Sequence, residues 1–251
     1  MTLRRDGAIC SVDIVIPVYN EGSNIVPVLD SFADRIKTPF RVLLCYDHDD
    51  DNTIPAIQAY GNGRFEIALV KNRGVGPHAA VRTGFQTSHA PAVVVFPADD
   101  TNNSAIIDRM FRKFEEGCDI VCASRFMKGG GMMGCPWVKA VLVRSCAFTL
   151  FHLGRVPTHD ASNGLRLFSK RLLQAVRIES TQGFSYSLEL LAKCHRLGWK
   201  IDEVPSLWIE RSDGSSRFKV LKWAPAYLRW YFYVFATTYL RRGPATVRMA
   251  P

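Results

Sequence analysis

Hydrophobic and polar positions alternate in blocks along the first half of the chain. Short apolar runs rich in β-branched residues, such as 12–18, predict buried strands, and the stretches between them have helical spacing. Strands that alternate with helices predict a parallel sheet with right-handed crossovers, and hence a nucleotide-binding α/β fold. The predicted strands are 12–18, 40–46, 65–70, 93–96 and 119–123, and the predicted helices are 24–35, a segment ending near 60, 78–88 and 104–116.

The second half of the chain has a less regular pattern. Three consecutive glycines at 129–131 predict a flexible loop. Helices are predicted at 138–153 and 184–197, and strands near 165–168 and 201–209.

Residues 223–240 are dense in Trp, Tyr and Phe, with Lys and Arg on both flanks. Pro225 and Arg229 interrupt this apolar run, so it is too short to span a bilayer, which takes about 20 residues. Aromatic rings with basic flanks suit the headgroup region of a membrane, and we expect this segment to dock there. The alternative is an aromatic helix packed on the core or in a dimer interface.

Composition narrows the class of protein. In 251 residues, 47% hydrophobic content favours a folded core, and a net charge of +9 implies anionic partners such as nucleotides or phospholipids. Zinc-finger spacing and RNA-binding signatures are missing from the sequence, so we expect no nucleic-acid partner. The seven scattered cysteines predict reduced thiols in a cytosolic protein, and the short charged start of the chain predicts no signal peptide.

The polar residues after the strand at 93–96 suggest chemistry. Pro97 and Ala98 lead into Asp99, Asp100 and Thr101, where the carboxyl end of a strand would present them to a ligand. Adjacent carboxylates suit a hard divalent cation that carries a phosphate, which predicts a metal-bound nucleotide. A solvated Asp-Asp turn is the alternative.

Further segments match one family in order and spacing. They are 14–21 (IVIPVYNE), 98–100 (ADD), 123–126 (ASRF) with the glycine triplet and Trp137, 159–166 (HDASNGLR), 203–205 (EVP) and 210–217 (ERSDGSSR). From about residue 11 to 218 the chain resembles family 2 glycosyltransferases, and among them the dolichol-phosphate mannose synthases. The resemblance implies a glycosyltransferase A fold: a Rossmann-like, mostly parallel sheet with flanking helices, here followed by C-terminal amphipathic aromatic helices. We therefore expect a catalytic domain at 1–217 and a membrane-associating or interface segment at 218–251.

The resemblance also implies a donor site for a nucleotide-diphosphate sugar. Asp99 matches the family's metal-binding Asp most securely, with Asp100 and Thr101 beside it, and the implied cofactor is Mg²⁺ or Mn²⁺. Pro97 stands where many members carry the first Asp of this motif, and Tyr46 replaces another family Asp. The implied base and ribose contacts are Pro17, Tyr19, Glu21 and Asp47, with a solvated acidic turn as the alternative for Asp47, and Arg125 is an implied phosphate contact. Arg73 and Gly76 lie in a turn before a predicted helix N-terminus, which could approach a diphosphate closely or be a structural turn.

An acceptor site follows from the same comparison. Lys139 and Arg144 are candidates for binding an acceptor phosphate, and a role in surface salt bridges is the alternative. The resemblance implies that a Gly-Ser loop carrying Arg211 and Arg217 closes over both phosphates, and a solvated loop is the alternative there. We expect Asp160 to hold Arg125 in place. A phosphate acceptor is already an anion, so the lack of an obvious general-base pair in the sequence favours it over a hydroxyl acceptor.

Together these features predict an inverting, metal-dependent transferase, with Asp99, Arg125, Asp160 and Arg211 as its catalytic set. It would move a hexose, mannose or glucose, to a polyprenyl phosphate, with GDP-mannose as the leading donor. The expected location is cytoplasmic, peripheral at the inner membrane face, with homo-oligomerisation open. The alternatives are a transferase for a soluble hydroxyl acceptor and a non-catalytic nucleotide-sugar-binding protein.

Overall fold

A computed structural model describes residues 10–61, 63–209 and 220–250 of the chain. Arg211 and Arg217, and the predicted domain boundary at 217, lie outside these residues. The described strands are β1 (Val12–Pro17), β2 (Phe40–Tyr46), β3 (Glu66–Lys71), β4 (Ala92–Val95), β5 (Ile120–Ser124), β6 (Gly131–Met133), β7 (Arg166–Ser169), β8 (Ile201–Pro205) and β9 (Leu207–Ile209). The α-helices are α1 (Val26–Arg35), α2 (Thr53–Tyr60), α3 (Pro77–Thr87), α4 (Ile106–Glu115), α5 (Trp137–Phe148), α6 (Lys170–Ala175), α7 (Ser185–Leu197) and α8 (Val220–Tyr239).

The central sheet has the strand order β3-β2-β1-β4-β7-β5-β8. β7 is antiparallel to β4 and β5, and the other neighbouring pairs are parallel. The expectation of a mostly parallel sheet with flanking helices is confirmed, but no local pattern predicted the reversed strand. Because β7 runs in the opposite direction to its neighbours, it begins at the edge of the sheet where β4 and β5 end.

Apolar side chains cover both faces of the sheet. Ile14 and Ile16 of β1 belong to a core cluster with Phe32 of α1 and Met110 of α4, whereas Val15 belongs to a cluster on the opposite face with α3, α7 and α8. This alternation is the period-2 pattern of a strand buried on both faces. The helices therefore hold the strand ends rigidly, and the polar loops at the carboxyl edge are left as the functional surface.

The glycine triplet differs from the predicted flexible loop. Gly131 begins β6, which pairs with β9, and a Cβ on Gly130 would lie 2.4 Å from the carbonyl oxygen of Ser124. Glycine is required there by close backbone packing. The strand predicted at 201–209 is also divided: β8 joins the central sheet, and after Ser206 the chain turns into β9.

The aromatic segment folds as α8, a single helix that continues through Pro225. A proline inside a helix removes one backbone hydrogen bond. Here Trp230 and Val234 are buried in the core cluster that α7 shares, and this packing outweighs the missing bond. The predicted helix at 138–153 is α5 continued by a π-helical turn at Thr149–Leu153. Within the described residues, no helix combines the length and apolar character needed to cross a membrane.

All seven cysteines are free thiols, as the sequence predicted. Most are buried, and burial raises the pKa of the Cys45 thiol to about 12. Such a group is a small apolar side chain rather than a nucleophile.

The buried His78 at the start of α3 makes stability depend on pH. Burial, with a smaller contribution from Arg82, lowers the pKa of His78 from 6.5 to about 4. Between those pH values the unfolded chain binds a proton that the folded chain does not, so stability falls as the pH falls. We expect the melting temperature to decrease less for His78→Gln than for the wild type when the pH is lowered from 6.5 to 4. Calorimetry across this range measures the difference, and parallel curves for the two proteins would contradict the assignment.

Candidate active site

Loops from five strands meet at the carboxyl edge of the sheet. The parallel strands β1, β2, β4 and β5 end there, and the reversed β7 begins there. This edge is where open α/β sheets bind their ligands. The predicted site residues with described positions lie on or beside these loops, except Lys139 and Arg144, which lie on α5.

Arg125 and Asp160 form a buried ion pair at this edge. Asp160 Oδ2 accepts from Arg125 Nε at 2.6 Å, and Oδ1 accepts from Nη2 at 2.9 Å. The same carboxylate accepts from the backbone N–H of Arg125 and of Asn163 and from the Ser162 hydroxyl. The Asp160 side chain is fully buried, and Arg125 is 10% exposed. The contact that the sequence analysis expected between these two residues is therefore present, and it leaves the guanidinium in a fixed orientation at the surface of the site.

A fully buried cation supports the loop that carries Asp160. Arg166, the first residue of β7, donates from Nη2 to the carbonyl oxygen of Ala161 at 2.6 Å and from Nη1 to that of Ser187 at 2.7 Å. These bonds fix the backbone next to Asp160. The sequence contained Arg166 in the quoted family segment, but nothing in its spacing indicated burial.

His159 and Glu203 form a second pair beside Asp160, and the sequence analysis assigned no role to either. Glu203 Oε1 lies 2.5 Å from His159 Nδ1, and Glu203 Oε2 accepts from the His159 backbone N–H and the Thr158 hydroxyl. The imidazole stacks on Phe151 of the π-helical turn with ring centroids 3.9 Å apart. The family segment Glu203-Val204-Pro205 was the available signal for this pair.

Asp99 and Asp100 follow β4 and have different surroundings. Asp100 Oδ1 accepts from the backbone N–H groups of Asn102 and Asn103, and Oδ2 accepts from Asn103 Nδ2 at 2.6 Å. Burial raises the pKa of the Asp100 carboxyl, and the neighbouring Asp99 adds to this effect. Asp99 is exposed. The Asp100 carboxylate therefore closes its own loop, whereas Asp99 is an exposed residue at the strand end.

The acidic loop and Arg125 are joined through β9. Asn103 Nδ2 donates to the Leu207 carbonyl oxygen at 2.7 Å, and its Oδ1 accepts from the Leu207 N–H at 2.9 Å. One residue earlier, the Ser206 N–H donates to the carbonyl oxygen of Ser124, which precedes Arg125. The position of Asp99 relative to Arg125 is thus set by a short chain of hydrogen bonds.

A divalent cation needs oxygen ligands that the protein and a substrate can share. In the part of the chain that the structure describes, no three His, Cys, Asp or Glu side chains group closely enough to hold a metal alone. Mg²⁺ commonly uses one or two carboxylates and completes its shell with water and phosphate oxygens. The exposed Asp99 fits that arrangement, with Asp100 and Thr101 beside it on the same loop.

The Gly-rich turn before α3 is held by Asp47. Asp47 Oδ1 accepts from Asn72 Nδ2 at 2.6 Å, and Oδ2 accepts from the Gly76 N–H at 2.7 Å. Gly76 has a φ of +85°, a conformation that favours glycine. Arg73 on this turn is exposed and donates to Gln86. Asp47 therefore braces the turn, in addition to its predicted role at a nucleotide base.

A cavity of about 260 Å³ opens between the loops after β1 and β2. Of the four predicted base and ribose contacts, all of which have described positions, Tyr19 alone lines it. Asp51 ties the loops together by accepting from the backbone N–H of Asn20 at 3.0 Å. The Glu21 N–H donates to Thr53 Oγ1 at 3.0 Å, and Pro17 ends β1 just before this loop. The lining residues are Tyr19, Asn20, His48, Asp50 and Asp51.

Lys139 and Arg144 lie on α5, on the side that faces aromatic residues of the site. The Lys139 ammonium is 4.5 Å from the Trp208 ring centroid. Arg144 and Arg125 both contact the Phe126 ring, at 5.8 Å and 5.2 Å. The ring of Phe126 therefore brings a cation of α5 near the Arg125–Asp160 pair.

The buried ion pair predicts a large effect of a small change. Asp160→Asn leaves the Arg125 guanidinium beside a neutral group, and we expect a loss of roughly 3–5 kcal/mol in the free energy of unfolding. Asp34→Asn is the control, because the Arg64–Asp34 pair is 51% and 62% exposed and such pairs contribute about 0–1 kcal/mol. Urea unfolding measures both, and equal losses would refute the assigned role of the pair.

Comparison with known proteins matches this architecture. The family described as Glycosyl transferase family 2 matches residues 13–177. The polyprenol monophosphomannose synthase of Mycolicibacterium smegmatis is 24% identical over 228 residues, covering 84% of this chain and 85% of that protein. The undecaprenyl-phosphate 4-deoxy-4-formamido-L-arabinose transferase of Serratia proteamaculans is 25% identical over 225 residues, covering 88% of this chain and 66% of that protein.

Among solved structures, glucosyl-3-phosphoglycerate synthase from Mycobacterium tuberculosis, in complex with Mn²⁺, UDP and phosphoglyceric acid, has the same fold. The TM-score is 0.61 at 16% identity, and the match covers 96% of this chain and 86% of that chain. The family match spans more than half of the sequence and includes the strands that carry Asp99, Arg125 and Asp160. The chain therefore belongs to glycosyl transferase family 2, with a fold like that of glycosyltransferase A enzymes.

Proposed function

We propose that this glycosyltransferase moves a hexose from a nucleotide-diphosphate sugar to a polyprenyl phosphate, with inversion at the anomeric carbon. The observation that carries the proposal is the fixed Arg125 guanidinium, held by Asp160 at the edge where Asp99 is exposed. A cation and a carboxylate in one site suit a reaction between two phosphate-bearing substrates. Two relatives with different sugars in their names share a polyprenyl phosphate acceptor, which supports this acceptor class.

The donor would bind across the loops after β1, β2 and β4. Its nucleoside would occupy the cavity beside Tyr19, and its diphosphate would approach the turn at Gly76 and Arg125. Asp99, with Asp100 and Thr101 on the same loop, would hold Mg²⁺ or Mn²⁺ when it is bound, and the ion would supply positive charge for the leaving diphosphate. GDP-mannose is our leading donor because the first relative named above is a mannose synthase.

The acceptor phosphate would enter from the α5 side. An oxygen of that phosphate forms a bond to the anomeric carbon while the bond from that carbon to the donor diphosphate breaks, and the electron pair leaves with the nucleoside diphosphate. Since the attacking group is an anion, no protein base has to remove a proton. Arg125 and Arg144, which share the Phe126 ring, would hold the two anionic substrates against their mutual repulsion.

A lipid acceptor implies a place of action. We propose that the protein works as a peripheral protein on the cytoplasmic side of the membrane, as a monomer or a homo-oligomer. Arg211 and Arg217 stay proposed contacts of the substrate phosphates, because they lie outside the described residues.

One assay tests the proposed reaction. The chain is incubated with radiolabelled GDP-mannose, UDP-glucose and other nucleotide sugars, with polyprenyl phosphate in detergent, and with Mg²⁺, Mn²⁺ or chelator. We expect labelled lipid with one donor and none with chelator. A second arm replaces the lipid by phosphoglyceric acid, the ligand of the solved relative. Labelled water-soluble product in that arm alone, or no product in either arm, would reject the lipid acceptor.

Substitution of Asp99 should affect activity, whereas substitution of Asp100 should affect stability. We expect Asp99→Ala to abolish metal-dependent transfer with little change in stability, since its side chain is exposed. Asp100→Ala removes the acceptor of three hydrogen bonds within its loop and should cost about 1–3 kcal/mol in the free energy of unfolding. Transfer rates and urea unfolding of both variants measure the split. Full transfer by Asp99→Ala would reject the metal role of Asp99. No transfer by the wild type, with nucleotide-sugar binding unchanged in Asp99→Ala, would instead favour a non-catalytic nucleotide-sugar-binding protein.

A further inference from the structure

We propose that α5, the π-helical turn and α8 form one membrane-docking face, which lies on the surface of an anionic bilayer. The inference rests on the proposed function, because a lipid acceptor has to be reached at a bilayer. It extends the expected docking segment, which was confined to residues 218–251, to the helix that carries the candidate acceptor cations Lys139 and Arg144.

Exposed apolar side chains are concentrated on these elements. Of the seventeen large apolar side chains exposed among the described residues, nine belong to these elements and a tenth, Leu240, directly follows α8. Trp137 is 77% exposed and Phe232 is 62% exposed. A cluster of this kind on a folded domain marks an interaction surface. The members of this outer apolar face are Trp137, Val138, Val141, Leu142, Phe148, Leu153, Leu228, Phe232, Tyr239 and Leu240.

The two helices present this face as one surface because they are fastened to each other. Tyr231 Oη donates to Thr149 Oγ1 at 2.8 Å, and Thr238 Oγ1 donates to the Gly154 carbonyl oxygen at 2.8 Å. A Cβ on Gly154 would lie 2.8 Å from Val234, so only glycine allows this close approach. Trp230 and Val234 point into the core, which leaves the opposite side of α8 outward.

The charge of these segments fits an anionic partner. The sequence has no Asp or Glu from 120 to 159 or from 214 to 251. Exposed arginines border the face at Arg144, Arg155, Arg241 and Arg242. Arg229 of α8 and Arg248 pair with Glu179, whose side chain is 12% exposed. An apolar face with an all-basic border is the pattern of a surface-bound amphipathic element.

This charge pattern favours a bilayer over a second copy of the chain. In a twofold dimer the same patch occupies both sides of the interface, so arginines would meet arginines with no carboxylate between them. The aromatic residues also suit the headgroup boundary, since Tyr231, Phe235 and Tyr239 form a row along α8 with successive ring centroids 4.9 Å and 6.1 Å apart.

Docking in this way would place the acceptor correctly. Arg144 lies at the edge of the exposed side of α5 and shares the Phe126 ring with Arg125, and the exposed side itself carries Val141 and Leu142. The phosphate of an embedded polyprenyl chain would lie at headgroup depth, level with the cations, while the chain stays in the bilayer.

Flotation of the full chain with vesicles tests the face without any sugar transfer. The vesicles contain phosphatidylcholine with or without phosphatidylglycerol and no polyprenyl phosphate. We expect the wild type to float with the anionic vesicles, and Leu142→Asp and Phe232→Asp each to lower the bound fraction at least about tenfold. Met249→Asp is the matched control: it also replaces an exposed apolar side chain by a carboxylate, but outside the face, and should float as the wild type does.

A second measurement does not depend on the folding of charged variants. Brominated acyl chains should quench the fluorescence of the wild type, and Trp137→Phe should remove part of that quenching. Flotation of both Asp variants at the wild-type level, or quenching in Trp137→Phe equal to that of the wild type, would overturn the proposed docking face. A wild-type dimer that the Asp variants dissociate, without vesicle binding, would reassign it to self-association. Transfer by the wild type in detergent tests the proposed function separately.

Discussion

The buried charge of Asp160 is the constraint on which the rest of the site depends. A carboxylate with no exposure to water is stable only when its oxygens are satisfied, and here five donors from Arg125, Ser162 and Asn163 surround it. Arg125 follows β5 and Asp160 precedes β7, so the pair joins two strands that differ in direction. The reversed direction of β7 is what brings the carboxylate to the edge where β5 delivers the arginine.

Several other side chains around this pair hold the loops of the site in position. Arg166, at the start of β7, fixes the backbone of the Asp160 loop, and Glu203 of β8 fixes His159. Asn103 ties the acidic loop to β9, and Asp47 ties the Gly-rich turn to the end of β2. Some of the polar side chains that the sequence suggested for the site, Asp47, Asp100 and Asp160, also hold loops in position. Binding residues on loops acquire the precision of the sheet in this way.

The parts of this arrangement that the sequence could predict have a strong local pattern. The run 40–46 is mostly apolar, with Arg41 as the exception, and lies between Pro39 and Asp47, and the strand has those limits. β6 and α6 span three and six residues, too few for a period to be recognised. The direction of β7 depends on its neighbours in space, which no local spacing encodes. The ion pair of Arg125 with Asp160 was expected from family resemblance, whereas the inward turn of Asp100 depends on Asn103 and became visible only in three dimensions.

The double hydrogen bond between Asn103 and Leu207 has a consequence for how this loop can evolve. Asp100 closes the loop onto the N–H groups two and three residues later, and the residue at the third position also pairs with β9. Asn103 thus meets two requirements, the backbone bond to Asp100 and the side-chain bonds to Leu207, at one fixed number of residues after the end of β4. Substitutions can change side chains around Asp99 without moving Asn103. An insertion or deletion between positions 100 and 103 would instead move Asn103 away from either Asp100 or Leu207. The length of this loop is therefore under stronger constraint than its composition.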